Sequence, residues 1–164
     1  MIDTNQMEAI LNCIKFIRAR HQNDNLLFMP QSEHPNIKTL IKMIKDGSAD
    51  INEFLSSSCT VRECTSALFS FLRSFDEGLL PIRAQQLIKS HNRNIPLKTI
   101  ALDTLGCIID ELRNEKQINF IITIELLKLM KLLSTEGSLK PTEILCSQGP
   151  YFLMPILFDK NVRK

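Results

Sequence analysis

The stretch Ile118-Asn119-Phe120-Ile121-Ile122-Thr123-Ile124-Glu125-Leu126-Leu127-Lys128-Leu129-Met130-Lys131-Leu132-Leu133 decides the fold class. Its β-branched run Ile121-Ile122-Thr123-Ile124 suits a strand. Its length argues otherwise, because strands are usually about five or six residues long. No other segment offers a strand to pair with it, and an unpaired strand leaves its backbone donors and acceptors open. The spacing therefore predicts a helix over 117–133, apolar on nearly every face, and such a helix belongs at the centre of a bundle. Asn119, Glu125, Lys128 and Lys131 interrupt the run, which is too short and too polar to span a bilayer.

Working outward, the rest of the chain also reads as helices. Residues 5–21 carry Met7, Ile10, Leu11, Ile14 and Ile17 at helical spacing, with Thr4 or Asn5 as the expected N-cap. Ser32 and Pro35 open a second helix with Ile37, Leu40, Ile41 and Ile44 on its buried stripe, and Gly47 ends it. Asp50 to Phe54 and the serines 56–58 read as a loop. Thr60-Val61-Arg62-Glu63 is a capping-box pattern opening a helix through Leu68, Phe71 and Leu72 toward Phe75. Gly78 and Pro81 bracket a turn before a short helix over 82–91. Long helices are expected over 97–113 and 117–133, and a last one over 141–148, before the apolar segment 151–158.

Length and composition narrow the function classes. The chain of 164 residues is expected to be one domain, 1–164, large enough for a full hydrophobic core. Its apolar fraction of 44% and charged fraction of 23% are those of a soluble globular protein. A net charge of +2 is too small to imply nucleic acid or an anionic membrane as the main partner. Trp is absent and Tyr151 is the one tyrosine, so no stacking platform for single-stranded nucleic acid emerges.

Cys13, Cys59, Cys64, Cys107 and Cys146 form no C-x-x-C pair and read as reduced thiols of a cytoplasmic protein. His21, His34 and His91 are scattered, so neither a metal nor a cofactor is expected. The polar start Met1-Ile2-Asp3-Thr4 is unlike a secretory signal. No P-loop and no nucleophile–base pattern is present.

Four blocks, in order, carry a family resemblance. They are Cys13 to Met29; Ile37, Leu40, Ile44 and Gly47; Phe71-Leu72-Arg73-Ser74-Phe75-Asp76-Glu77-Gly78-Leu79-Leu80-Pro81; and Gly149-Pro150-Tyr151-Phe152-Leu153-Met154-Pro155. Together they resemble a RhoGAP domain over about 5–157. The resemblance implies an all-α, RhoGAP-like helical bundle of seven to nine helices, acting as a monomer on a Rho-, Rac- or Cdc42-type small GTPase.

The same resemblance implies that catalysis is lost. Where the family places its arginine finger, this chain has Met29, and a shift by one residue gives Phe28. The family's lysine four residues before the arginine of the third block falls on Phe69, and that arginine is kept as Arg73. Two family asparagines fall on Gly137 and Glu143, and the closing proline is kept as Pro150. In this respect the chain is similar to the RhoGAP-like domain of inositol 5-phosphatases, which also lacks the finger. The expectation is a non-catalytic module that binds a partner through Phe28, Met29, Phe69, Arg73, Glu143 and Pro150. One alternative is an active GTPase-activating protein using Arg18, Arg20, Arg62, Arg83 or Arg93. Another is an unrelated helical scaffold domain.

Overall fold

Three of the described helices start at a side chain that accepts backbone N–H groups the helix leaves unpaired. A computed structural model describes residues 2–23, 34–75, 78–89, 97–114 and 117–136. Helix α1 spans Thr4–Arg20. Its N-cap is Asp3 rather than Thr4 or Asn5: Asp3 Oδ1 accepts from the Gln6 amide at 2.8 Å, and Gln6 Oε1 accepts from the Asp3 amide at 3.1 Å. A carboxylate one residue earlier outcompetes the neutral candidates because it completes a reciprocal box with Gln6. Gln6 Nε2 also donates to the Lys45 carbonyl at 2.8 Å, holding the start of α1 against the end of α2, Pro35–Asp46.

Helix α2 has Pro35 in its first turn, as the sequence predicts, but its cap is His34, which the sequence did not single out; Ser32 lies outside the described residues. It ends at Gly47, whose φ of 61° is left-handed and whose N–H reaches the Ile44 carbonyl at 3.1 Å. Residues expected to form a loop after Asp50 instead form helix α3, Ile51–Ser58. Two of its serines satisfy themselves within the helix: Ser56 Oγ donates to the Asn52 carbonyl and Ser57 Oγ to the Glu53 carbonyl. Ile51 and Leu55, one turn apart, are both buried and fix α3 onto α1 and α2.

Helix α4, Val61–Arg73, opens on the predicted capping box. Thr60 Oγ1 accepts from the Glu63 amide at 3.2 Å, and Glu63 Oε2 accepts from the Thr60 amide at 2.9 Å. This helix is buried on most of its circumference, through Cys64, Ala67, Leu68, Phe69, Phe71 and Leu72. It packs against α1 and α2. Each of Leu68, Phe69, Phe71 and Leu72, withdrawn from water, contributes about 2 kcal/mol.

Gly78, at a φ of 73°, turns the chain toward Leu79 and Leu80, both buried, and into α5, Ile82–Lys89. Helices α6, Leu97–Asn114, and α7, Gln117–Glu136, complete the described fold. Among the described residues there are seven α-helices, a short 3₁₀ turn at His21–Asn23 and no strand. The class is all-α, as expected.

The layering differs from expectation in one respect. Helix α7 was expected at the centre of the bundle, yet α4 and α1 hold the core. One face of α7 (Ile122, Leu126, Leu129, Met130 and Leu133) is buried, largely against α1. The opposite side meets α6 only in part, and Ile121 and Leu127 stay exposed. Apolar character all round therefore does not mean burial all round. Helix α6 packs chiefly on α5 and α7, at the outer edge of the bundle.

Candidate partner-binding surface

Phe69 and Arg73 stand one helical turn apart on α4 and have opposite environments. Phe69 is 3% exposed and belongs to the core shared with α1 and α2. A phenylalanine ring gains by leaving water, so the buried Phe69 is not part of an exposed apolar face for a partner. Arg73 is exposed in the last turn of α4, where a cation complements the partial negative charge of the helix end. Phe28, Met29, Gly137, Glu143 and Pro150 lie outside the described residues, as do Arg93 and the expected helix over 141–148.

Two of the arginines considered as alternative fingers have structural roles. Arg18 pairs with Glu125 at 3.5 Å, joining α1 to α7, and Glu125 also takes Lys128 at 3.0 Å. The Arg20 guanidinium lies over the Phe16 ring, 4.3 Å from its centroid. Arg62 is half-buried, and Arg83 is exposed on α5.

The thiols are free where described. Cys13 and Cys64 are both fully buried, and the Cys64 thiol approaches the Cys13 carbonyl at 3.7 Å. Burial pushes the Cys59 thiol up to about 12, helped by the negative charge of Glu63. Burial also pushes Cys64 well above its ordinary value, helped by its contact with Cys13. These thiols stay protonated and are poor nucleophiles. Among the described residues no group of His, Cys, Asp and Glu could hold a metal ion. No described helix is long and apolar enough to cross a membrane.

The feature the sequence did not single out is a groove between α6 and α7. Its α6 wall is Leu105, Ile108 and Ile109, with Arg113 at one end. Its α7 wall is Phe120, Ile124 and Leu127, and Leu80 and Thr123 also line it. It encloses about 610 Å³. Leu102 is 59% exposed and Leu105 51%, so the apolar surface continues along α6 past the cavity. Thr123 Oγ1 is buried and has no hydrogen-bond partner among the described residues. Contiguous exposed apolar surface of this kind makes the groove a candidate site among the described residues. The available signal was the spacing of Leu102, Leu105 and Ile109. It was masked because Ile108 and other apolar residues spread over the rest of α6.

The surface is thus an apolar trough with a cation at one end, on the outer edge of a helical bundle. No protein-family model matches the chain, and no curated protein or solved structure is significantly similar to it.

Proposed function

We propose that this chain is a helical protein-interaction module with no catalytic activity of its own. The observation that carries the reading is the exposed apolar trough between α6 and α7. Its walls offer shape and apolar area, which suit binding. Among the described residues they carry two polar side chains, Arg113 and Thr123, and no carboxylate, histidine or cysteine. Reduced thiols are in keeping with a cytoplasmic site of action.

A Rho-type small GTPase is the first partner to test, on the strength of the RhoGAP-like sequence pattern. An arginine supplied in trans accelerates GTP hydrolysis by about 10³–10⁵, roughly 4–7 kcal/mol. The Met29 thioether carries no charge and no N–H to place on the transferring phosphoryl oxygens. The module then binds a GTPase without stimulating it.

The test is a pull-down against Rho, Rac and Cdc42 in both nucleotide states, with Arg73→Glu as a control, beside a single-turnover hydrolysis assay. The expected result is capture of one GTPase with its hydrolysis rate unchanged. Stimulation of hydrolysis by a factor near that of an active domain would overturn the non-catalytic reading, and failure to capture any GTPase would remove the GTPase from it.

A further inference from the structure

We infer that the α6–α7 groove is a docking site for an amphipathic helix of another protein, apolar along one face and carrying a carboxylate where it passes Arg113. The α6 rim exposes Leu102, Leu105 and Ile109 at spacings of three and four residues. On α7, Ile124 and Leu127, three residues apart, line the facing wall, and Leu127 is exposed. Two such stripes on neighbouring helices form the floor that a third helix covers in a bundle, and the same geometry is used for peptides that bind as helices.

Length selects a helix over a small apolar ligand. From Leu102 to Arg113 the α6 stripe runs about 16 Å at 1.5 Å per residue. A single acyl chain could fill the cavity, but it would leave Leu102, the most exposed of these leucines, bare to water. A helix of about three turns covers both.

Charge selects the sign of the partner. Arg113 is exposed, lines the groove and has no ion pair among the described residues. Its fork of donors matches a carboxylate in two-point geometry. Thr123 adds a second polar element: its buried hydroxyl lacks a partner among the described residues, so a polar side chain on the incoming helix would make a hydrogen bond missing there.

This inference deepens the reading of the chain as an interaction module, but its test is independent of any GTPase. The full-length chain is titrated by fluorescence anisotropy with two labelled eighteen-residue peptides. Both are amphipathic helices with leucines at i, i+3, i+4 and i+7; one carries Glu near its end and its twin carries Lys there. The Glu peptide is expected to bind roughly tenfold more tightly than the Lys peptide, and Arg113→Glu is expected to reverse that order. Leu105→Asp is expected to weaken both peptides by more than tenfold with the helical circular-dichroism signal unchanged. The inference is overturned if Leu105→Asp leaves binding intact, or if Arg113→Glu leaves the order of the two peptides as it was. It also fails if sedimentation shows a dimer that Leu105→Asp dissociates, since a second copy would then fill the groove. It fails equally if Phe152→Asp with Leu157→Asp speeds amide exchange across α6 and α7, since the chain's own 151–158 segment would then be the occupant. Peptide binding without capture of any GTPase would uphold the groove and remove only the GTPase.

Discussion

Glu63 Oε1 lies 3.3 Å from His34 Nδ1, and that same nitrogen lies 3.2 Å from the amide of Asn36. The two contacts require opposite protonation states. To accept from Asn36 and cap α2, Nδ1 must present a lone pair; to donate to Glu63 it must carry a proton. The second carboxylate oxygen meanwhile accepts from the Thr60 amide at 2.9 Å and from Asn36 Nδ2 at 3.3 Å. One buried carboxylate thus serves the starts of both α2 and α4. Glu63→Ala is expected to destabilise the chain by about 2 kcal/mol, since it removes a capping box and leaves neighbouring donors without their acceptor. Urea unfolding of the two proteins measures this. A loss below about 0.5 kcal/mol would mean that the carboxylate merely sits beside these donors.

Gly47 cannot take a side chain without pushing α1 away from α2. A Cβ there would lie 2.5 Å from the Asn5 Cβ and 3.0 Å from the Asn5 carbonyl carbon, at a left-handed φ of 61°. Gly47→Ala is expected to destabilise by about 2 kcal/mol or more, combining left-handed strain with displacement of α1 from α2. A melting temperature within a degree of the parent's would contradict the close approach.

The thiols give a pH prediction with a definite sign. Cys59 is raised from 9.0 to about 12, and Cys64 is also raised. The folded state therefore holds these protons more tightly than the unfolded state. The resulting stability is fully present below about pH 9 and is lost as pH climbs from 9 toward 12. The urea midpoint is expected to fall over that range, and Cys59→Ala to flatten the fall. At pH 8 the folded Cys59 thiol should also react with iodoacetamide about a thousandfold more slowly than the same residue in urea, following its smaller thiolate fraction.

Core and groove leucines should part company on substitution. Leu126 is fully buried, and Leu126→Ala is expected to cost about 2–5 kcal/mol. Leu105 is half-exposed, and Leu105→Lys should shift stability by less than about 0.5 kcal/mol while reducing uptake of an apolar dye. Equal losses of stability in the two variants would place Leu105 in the core and end the case for an open groove.

Local chemistry made much of this fold readable. Thr60 with Glu63, Pro35 and Gly47 each mark a helix end through one hydrogen bond or one dihedral angle, and the structure places all of them as expected. Helix α3 was missed because Ser56, Ser57 and Ser58 look like a loop in sequence. Back-bonding of Ser56 and Ser57 to carbonyls one turn earlier supplies what the loop reading lacked. Phe69 could be read as either an exposed ring or a core ring. The choice depends on how α4 meets α1 and α2, which periodicity along one helix does not contain. The groove was hidden for the same reason. Which apolar side of α6 and α7 finds a neighbour is a property of the packed helices, and the sequence of either one alone is apolar in too many directions to say.

The Arg18–Glu125 bridge and the burial of α7 against α1 bind the first described helix to the last one. On the ribosome α1 can settle early with α2, α3 and α4. Its remaining flank must wait, uncovered, until more than a hundred further residues have emerged, several seconds at ordinary elongation speeds of about 5–20 residues per second. The nascent chain is therefore most vulnerable to sticking and to chaperone capture in that interval, and slowing translation after α4 would lengthen it.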